Sequence, residues 1–338
     1  MNSSPAPFRI ATRGSALALA QANMVMSLCQ GEFRDLKFEL NIIKTTGDKL
    51  QTASMSNPEQ ELPKGLFTKE IEEALLANEA DIAVHSLKDL PTELPDGLAL
   101  GAVTKRADVR DVLVYRDAKF TTDAPPADWA PGQSVRRGFR PGLRLADLPA
   151  GAVLGTSSVR REAQARALNP ALKFLPIRGN VGTRLQKVAA QTDIDATILA
   201  AAGMARLGFV IFPDGRLKGP GVPEGLLASP IEPEEMLPCV GQGAIGIERR
   251  ANDDRAKAVC EKLNHFGTWQ SVTAERAFLR ALGGGCQSPV GAHATVAGHL
   301  LVMQTVLVAG GSVRRAEGKD GALEPARLGA SLAAQLLK

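Results

Sequence analysis

Short apolar runs alternate with helical periods along most of the chain, and that alternation narrows the possible folds more than any other feature. "FRIAT" at residues 8–12 reads as a strand, and "SALALAQANMVMSLC" follows with apolar residues at helical spacing. "LKFELNIIKT" (36–45) alternates as a strand does. "LFTKEIEEALLANE" sets Leu66, Ile71, Leu75 and Leu76 at helical spacing, and "ADIAVHS" is a short apolar strand of the kind buried in a parallel sheet. The plan then repeats in "GAVLGTSSVRREAQARAL", "LKFLPIRGNVGTRLQKVAAQ" and "IDATILAAAGMARLG". Strand, helix, strand in sequence means crossover connections and an α/β fold. "GQGAIGIERR" is a further strand. Beyond residue 252 the pattern changes to two helices, three antiparallel-looking strands (about 288–317) and a closing helix, "ARLGASLAAQLL", which together predict a small α+β unit. Residues 117–148, rich in Pro, Gly, Asp and Arg with neither period, read as a mobile surface insertion, and 212–235 reads as loop.

Composition bounds the function classes. A chain of 338 residues suggests two or three domains, and 44% apolar with 22% charged residues is globular composition. No run of about 18 apolar residues exists, so no transmembrane helix is expected. The N-terminus lacks a basic stretch followed by a long apolar one, so no secretory signal is expected. Cys29, Cys239, Cys260 and Cys286 form no CxxC pair, and the four histidines show no metal-ligand spacing. The expectation is a cytoplasmic protein without disulfides or metal. A net charge of +4 without interleaved aromatics and basic patches does not point to nucleic acid.

Where the arginines fall is more informative than their number. "ATRGS" puts Arg13 and Ser15 at a strand-to-helix turn. "GTSSVRR" puts Thr156, Ser157 and Ser158 at a helix start ahead of Arg160 and Arg161. "IRGNVGTR" puts Arg178 at a strand end and Arg184 one element on. Each turn alone is explained by helix capping plus a surface arginine. Three of them, at strand carboxyl ends where open α/β sheets bind ligands, predict a substrate with several carboxylates. Phosphate is the rival anion, but no G-x-x-x-x-G-K-[ST] loop occurs. "AVHSLKDLP" runs an apolar strand into His85, Ser86, Lys88 and Asp89, either ligand groups or an ion pair sealing the sheet edge. "KGLFTKE" offers Lys64 and Lys69, for which a solvated face is the favoured reading. "ALGGGCQSPVGAHA" holds Cys286 behind three glycines and ahead of a proline, as a tight turn or as a thiol presented for covalent chemistry.

The motifs "ATRGSALAL", "KGLFTKE", "AVHSLKDLP", "GTSSVRR", "RGNVGTRL", "LPCVGQGAIGIE" and "GGGCQSPVGAHA", in that order, resemble the porphobilinogen deaminase (hydroxymethylbilane synthase) family from about residue 8 to the C-terminus. The resemblance implies two doubly wound α/β domains like type II periplasmic binding proteins and a small C-terminal α+β domain. The implied division is 1–112 with 237–257, then 113–236 carrying the insertion, then 258–338. It implies a transferase that condenses four porphobilinogen molecules into hydroxymethylbilane on a dipyrromethane cofactor, held through a thioether to Cys286. It implies Asp89 as the catalytic carboxylate. Cofactor contacts would come from Arg13, Ser15, Lys88, Thr156, Ser157, Ser158, Arg160, Arg161, Arg178 and Arg184. Substrate contacts would come from Arg13, Ser15, Lys64, Arg161, Arg178 and Arg184. The expected protein is a monomer whose partner is the small molecule, with no nucleic acid and no membrane. "QTASMSNPEQELP" (51–63) departs from the family in lacking the lysine and glycines many bacterial members have there, so only Lys64 is carried over from this region. Arg116, Arg136, Arg137, Arg140 and Arg144, in and beside the insertion, could add carboxylate contacts or be solvated.

Overall fold

The computed structural model describes residues 6–47, 67–121, 137–284 and 288–338. The order begins β1 (Phe8–Arg13), α1 (Ala16–Glu32), β2 (Phe38–Ile43), α2 (Lys69–Leu76), β3 (Ile82–Ser86), β4 (Leu98–Val103). The chain then crosses into β5 (Asp111–Arg116), β6 (Val153–Gly155), α3 (Val159–Leu168), β7 (Lys173–Leu175) and α4 (Val181–Ala190). There follow β8 (Ala196–Ala200), α5 (Ala201–Arg206), a short pair β9 (Val210–Ile211) and β10 (Leu217–Lys218), and β11 (Leu226–Ile231). It returns through β12 (Ile245–Arg250) and α6 (Asp254–Leu263). It ends as α7 (Phe266–Ala281), β13 (Val290–Ala297), β14 (Leu300–Ala309), β15 (Ser312–Gly321) and α8 (Pro325–Leu337).

These elements build two five-stranded sheets of like design, β2-β1-β3-β12-β4 and β11-β5-β8-β6-β7. In each, one strand runs against the rest: β12 in the first and β5 in the second. Those two strands follow the two crossings, residues 104–110 and 232–244, which run side by side. Ala107 N–H donates to Gly243 O at 3.1 Å, and the Gln242 side chain donates to Val109 O at 2.7 Å. The third sheet, β13-β14-β15, is antiparallel, and α7 and α8 pack on it around Phe278, Met303 and Leu332. Glu275 of α7 joins the parts. Its buried carboxylate accepts from Arg106 on one crossing (2.7 and 3.0 Å), from Gly241 N–H on the other (2.8 Å) and from Ala294 N–H of β13 (2.9 Å).

Two expectations are corrected and one is refined. The reading of 117–148 as a mobile insertion fails for its second half. Leu145 and Leu148 are buried in the core that also holds Leu113, Tyr115 and Leu154, and Arg116 is buried rather than solvated. Arg116 donates to Val188 O and to Arg137 O and lies 3.5 Å from Asp195, so it serves the fold. Arg137 and Arg144 pair with Asp195 and Glu235. Arg136 lies outside the described residues. Second, the stretch read as loop contains β11, a strand whose Leu226, Leu227 and Ala228 are buried. Gly225 and Pro230 punctuate it, and Pro230 is tolerated because β11 is an edge strand. Third, the boundary expected at 257/258 falls inside α6. Ala256, Val259, Cys260 and Leu263 of this helix pack in the first core beside Val25, Cys29 and Ile247. Likewise 112/113 cuts β5, which begins at Asp111.

Candidate functional site

The carboxyl ends of β1 and β3 open onto the N-terminus of α1. Ser15 caps that helix, accepting from Ala18 N–H at 3.3 Å, and Arg13 leaves β1 with its guanidinium over the Phe67 ring, 4.1 Å from the centroid. β3 ends at Ser86, and one 3-10 turn, Leu87–Asp89, follows. Ser86 is gripped by Gln21 of α1 at 2.9 Å, while Lys88 reaches the Gln242 side chain at 3.5 Å. Asp89 is exposed. Arg13, Ser15, Gln21, His85, Ser86 and Asp89 line one cavity of about 60 Å³.

The second sheet presents its strand ends from the other side. Thr156, Ser157 and Ser158 follow β6. Thr156 Oγ1 accepts from Ser158 N–H at 3.1 Å, Ser157 donates to Ile177 O at 3.0 Å, and Ser158 caps α3. In the first turn of α3, Arg160 and Arg161 turn inward and are buried. Both meet Asp111 at the start of β5: Arg160 Nη2 at 2.7 Å from one oxygen, Arg161 Nη2 at 2.8 Å from the other. Gln242 adds a third donor to Asp111 at 3.0 Å. Arg160 also donates to Leu237 O, and Arg161 to Ile198 O. Asn180 caps α4, and Arg184, one turn in, donates to Gly179 O at 2.9 Å. Arg178 sits apart from this cluster. It lines a second cavity, of about 260 Å³, with Thr156, Ser157, Arg166 and Phe174. Lys64 and Cys286 lie outside the described residues.

The two halves share one electrostatic field. Burial alone would raise the Asp111 carboxyl, but Arg160 and Arg161 overcome it and hold the group well below the usual carboxylate range. Lys88 is pushed below the ordinary lysine value first by burial and then by Arg161, with Asp89 opposing. Arg184 is pushed down to about 10 by burial, with Arg161 adding to it. Burial raises the Cys239 thiol although Arg160 and Lys88 oppose that rise. Among the described residues, Arg160, Arg161 and Arg184 gather around Asp111 and Asp89, three cations to two carboxylates. Arg160 Nε is buried with no hydrogen-bond partner among the described residues. Such a surplus with donors to spare favours a ligand carrying more than one anionic group.

Sequence reasoning missed Asp111 and Gln242. The signal for Asp111 was there: an acid opening a run of wholly buried residues, "DVLVYR", needs a cation beside it.

Two family models match the chain. One, described as "Porphobilinogen deaminase, dipyromethane cofactor binding domain", covers residues 8–258, and the other, "Porphobilinogen deaminase, C-terminal domain", covers 269–338. Among similar curated proteins, the porphobilinogen deaminase of Desulforudis audaxviator is 41% identical over 97% of this chain and 94% of its own. That of Syntrophobacter fumaroxidans is 38% identical with the same coverage, and that of Geotalea uraniireducens 40% identical over 98% of this chain and 91% of its own.

Proposed function

Because the chain belongs to the porphobilinogen deaminase family, we propose that its cation cluster holds the acetate and propionate groups of a growing pyrrole chain. The enzyme joins four porphobilinogen molecules head to tail, releasing ammonia at each junction and hydroxymethylbilane at the end. The observation that carries this reading is the excess of cations over carboxylates where the strand ends of both sheets meet.

The donor set fits dipyrromethane, two pyrroles that each bear an acetate and a propionate. Arg160 keeps a buried Nε without a partner among the described residues, and Lys88 and Arg184 are half-buried cations in the same field. When bound, by a thioether to Cys286, the cofactor supplies the free pyrrole α-carbon for chain growth. The residues named for it are Arg13, Ser15, Lys88, Thr156, Ser157, Ser158, Arg160, Arg161, Arg178 and Arg184. Lys64 joins Arg13, Ser15, Arg161, Arg178 and Arg184 for the substrate. Asp89 accepts a pyrrole N–H and stabilises the positive charge that appears as ammonia leaves. A fixed carboxylate helps that transition state more than the neutral ground state. Arg161, anchored on Asp111, stays in place as carboxylates move past it.

The working unit in this reading is a monomer in a reducing cytoplasm, its second unit opening with β5 and its first unit closed by α6. Free thiols at Cys29, Cys239 and Cys260 support the compartment. No helix among the described residues is long and apolar enough to cross a membrane. The test is stoichiometry: purified enzyme given porphobilinogen should release four ammonia molecules per linear tetrapyrrole. Consumption of porphobilinogen without ammonia release would reject the reading.

A further inference from the structure

Beneath the pocket wall that carries Asp89 lies a set of buried ionisable groups that substrate binding does not use. His85 of β3 and Glu248 of β12 place Nε2 and Oε2 3.1 Å apart, with side chains 5% and 0% exposed. They meet diagonally across the antiparallel pair. His85 stands opposite Gly246, and Glu248 opposite Ala83, so two small residues leave room for two large ones. A Cβ at position 246 would lie 2.9 Å from Leu87 Cδ1, so the seating of Leu87, in the turn that carries Asp89, depends on this glycine. Glu72 of α2, also buried, covers the same face of the sheet, where its neighbours Ile71 and Leu75 pack on Ala83. Glu72 Oε1, His85 Nε2 and both Glu248 oxygens lack a hydrogen-bond partner among the described residues, so His85 and Glu248 meet as a close polar pair.

Two carboxylates and an imidazole buried together stabilise the fold only where they compensate one another, and removing one of them leaves the others costly to bury. The carboxyl of Glu72 stands above its ordinary value of 4.5. Burial is the main cause, with the Glu248 charge adding and the Thr68 hydroxyl and His85 opposing. The charged groups facing Glu72 are Glu248 from β12, His85 from β3 and Glu73 from its own helix. β4, "LALGAV", adds none. On the pocket side, Asp89 and Arg13 line the same cavity as His85.

We propose that Glu72, His85 and Glu248 are positioning residues, a buried polar latch that holds the carboxyl end of β3 against β12 and α2. The latch thereby sets Ser86, Lys88 and Asp89 for the condensation, which rests on the reading of Asp89 given above. β12 is the strand by which the chain returns from the second sheet, so the latch fixes the Asp89 turn at the junction of the two sheets.

The test uses loaded enzyme as parent, Glu72→Gln, His85→Gln and the double variant His85→Gln/Glu248→Gln. The first readout needs no activity. Because the folded-state value of Glu72 is raised, the protein loses stability as pH rises through it, starting from about 4.5. The melting temperature of Glu72→Gln minus that of the parent should therefore increase with pH above that point. The second readout is turnover. His85→Gln should lose tenfold to about a hundredfold in kcat with little change in KM, as expected for misplacement of a reacting group. The double variant, with a neutral pair, should recover most of it. A pH-independent melting difference for Glu72→Gln, or His85→Gln with the parent's kcat and pH profile, would overturn the latch. Should the parent make no tetrapyrrole, the functional reading and the positioning role fall together, while the melting series still judges the burial of Glu72 in this cluster.

Discussion

Replacing Asp111 with Asn removes one charge from the middle of the candidate site while keeping its shape. In the parent, one carboxylate receives Arg160 Nη2 at 2.7 Å, Arg161 Nη2 at 2.8 Å and Gln242 Nε2 at 3.0 Å, all out of water. At an effective dielectric constant near 20, a charge pair about 4 Å apart is worth roughly 4 kcal/mol before desolvation. Breaking one buried pair by removing a partner costs about 3–5 kcal/mol. Here two guanidiniums lose the same counter-ion, so the upper part of that range is expected, against a total domain stability of about 5–15 kcal/mol. At a slope of about 2 kcal/mol per molar urea, the midpoint should fall by roughly 2 M. Bound carboxylates replace part of the lost charge, so the loss should be larger in a Cys286→Ala background than in loaded enzyme. The pH dependence has a definite sign. The Asp111 carboxyl is depressed in the fold, so its contribution is present above the ordinary value of 3.8 and disappears as pH falls through the lower folded value. The gap between parent and variant should therefore close in strong acid. Urea titrations at neutral and acid pH, with loading checked by intact mass, decide the matter. A loss below about 1 kcal/mol, typical of an exposed pair, or a gap that persists in acid, would refute the reasoning.

Glu275→Gln should cost about 3–5 kcal/mol, because one buried carboxylate serves Arg106 and two backbone N–H groups from separate parts of the fold; calorimetry should show the third sheet melting apart from the other two. Gly329→Ala should destabilise by about 1–3 kcal/mol, since a Cβ there would run into Ala274 O and lie 2.8 Å from the Phe278 nitrogen, so α7 and α8 must separate; denaturant midpoints check this. Arg13→Lys should raise KM for porphobilinogen about tenfold or more, since an ammonium lacks the planar fork and its stacking over Phe67; unchanged steady-state kinetics would remove Arg13 from substrate binding.

The parallel cores were legible because β1, α1, β3 and the units from 151 to 208 carry their period in a few residues each. Other features depend on partners distant in sequence. β11 hides behind Gly225 and Pro230, and only its pairing with β5 makes it a strand. The helix α6 looks like the start of the C-terminal unit, yet its apolar face completes the first core. The arginine turns were readable as cations gathered at strand ends. That Arg160 and Arg161 share Asp111 could not be read, because fifty residues separate Arg161 from that acid. His85 and Asp89 were weighed as ligand groups or as an ion pair at the sheet edge. In the fold His85 lies 3.1 Å from Glu248 within the sheet, while Asp89 is exposed at the pocket.

The central claim is a covalent pyrrole cofactor on Cys286 that the cation cluster holds for chain growth. The most direct measurement is the intact mass of purified parent and Cys286→Ala protein, before and after porphobilinogen. The account predicts that the parent exceeds its sequence mass by two substrate-derived units and adds further units stepwise. The folded Cys286→Ala protein should show its sequence mass throughout and make no tetrapyrrole. An adduct that survives in Cys286→Ala, or a parent that carries none yet makes tetrapyrrole, would contradict it.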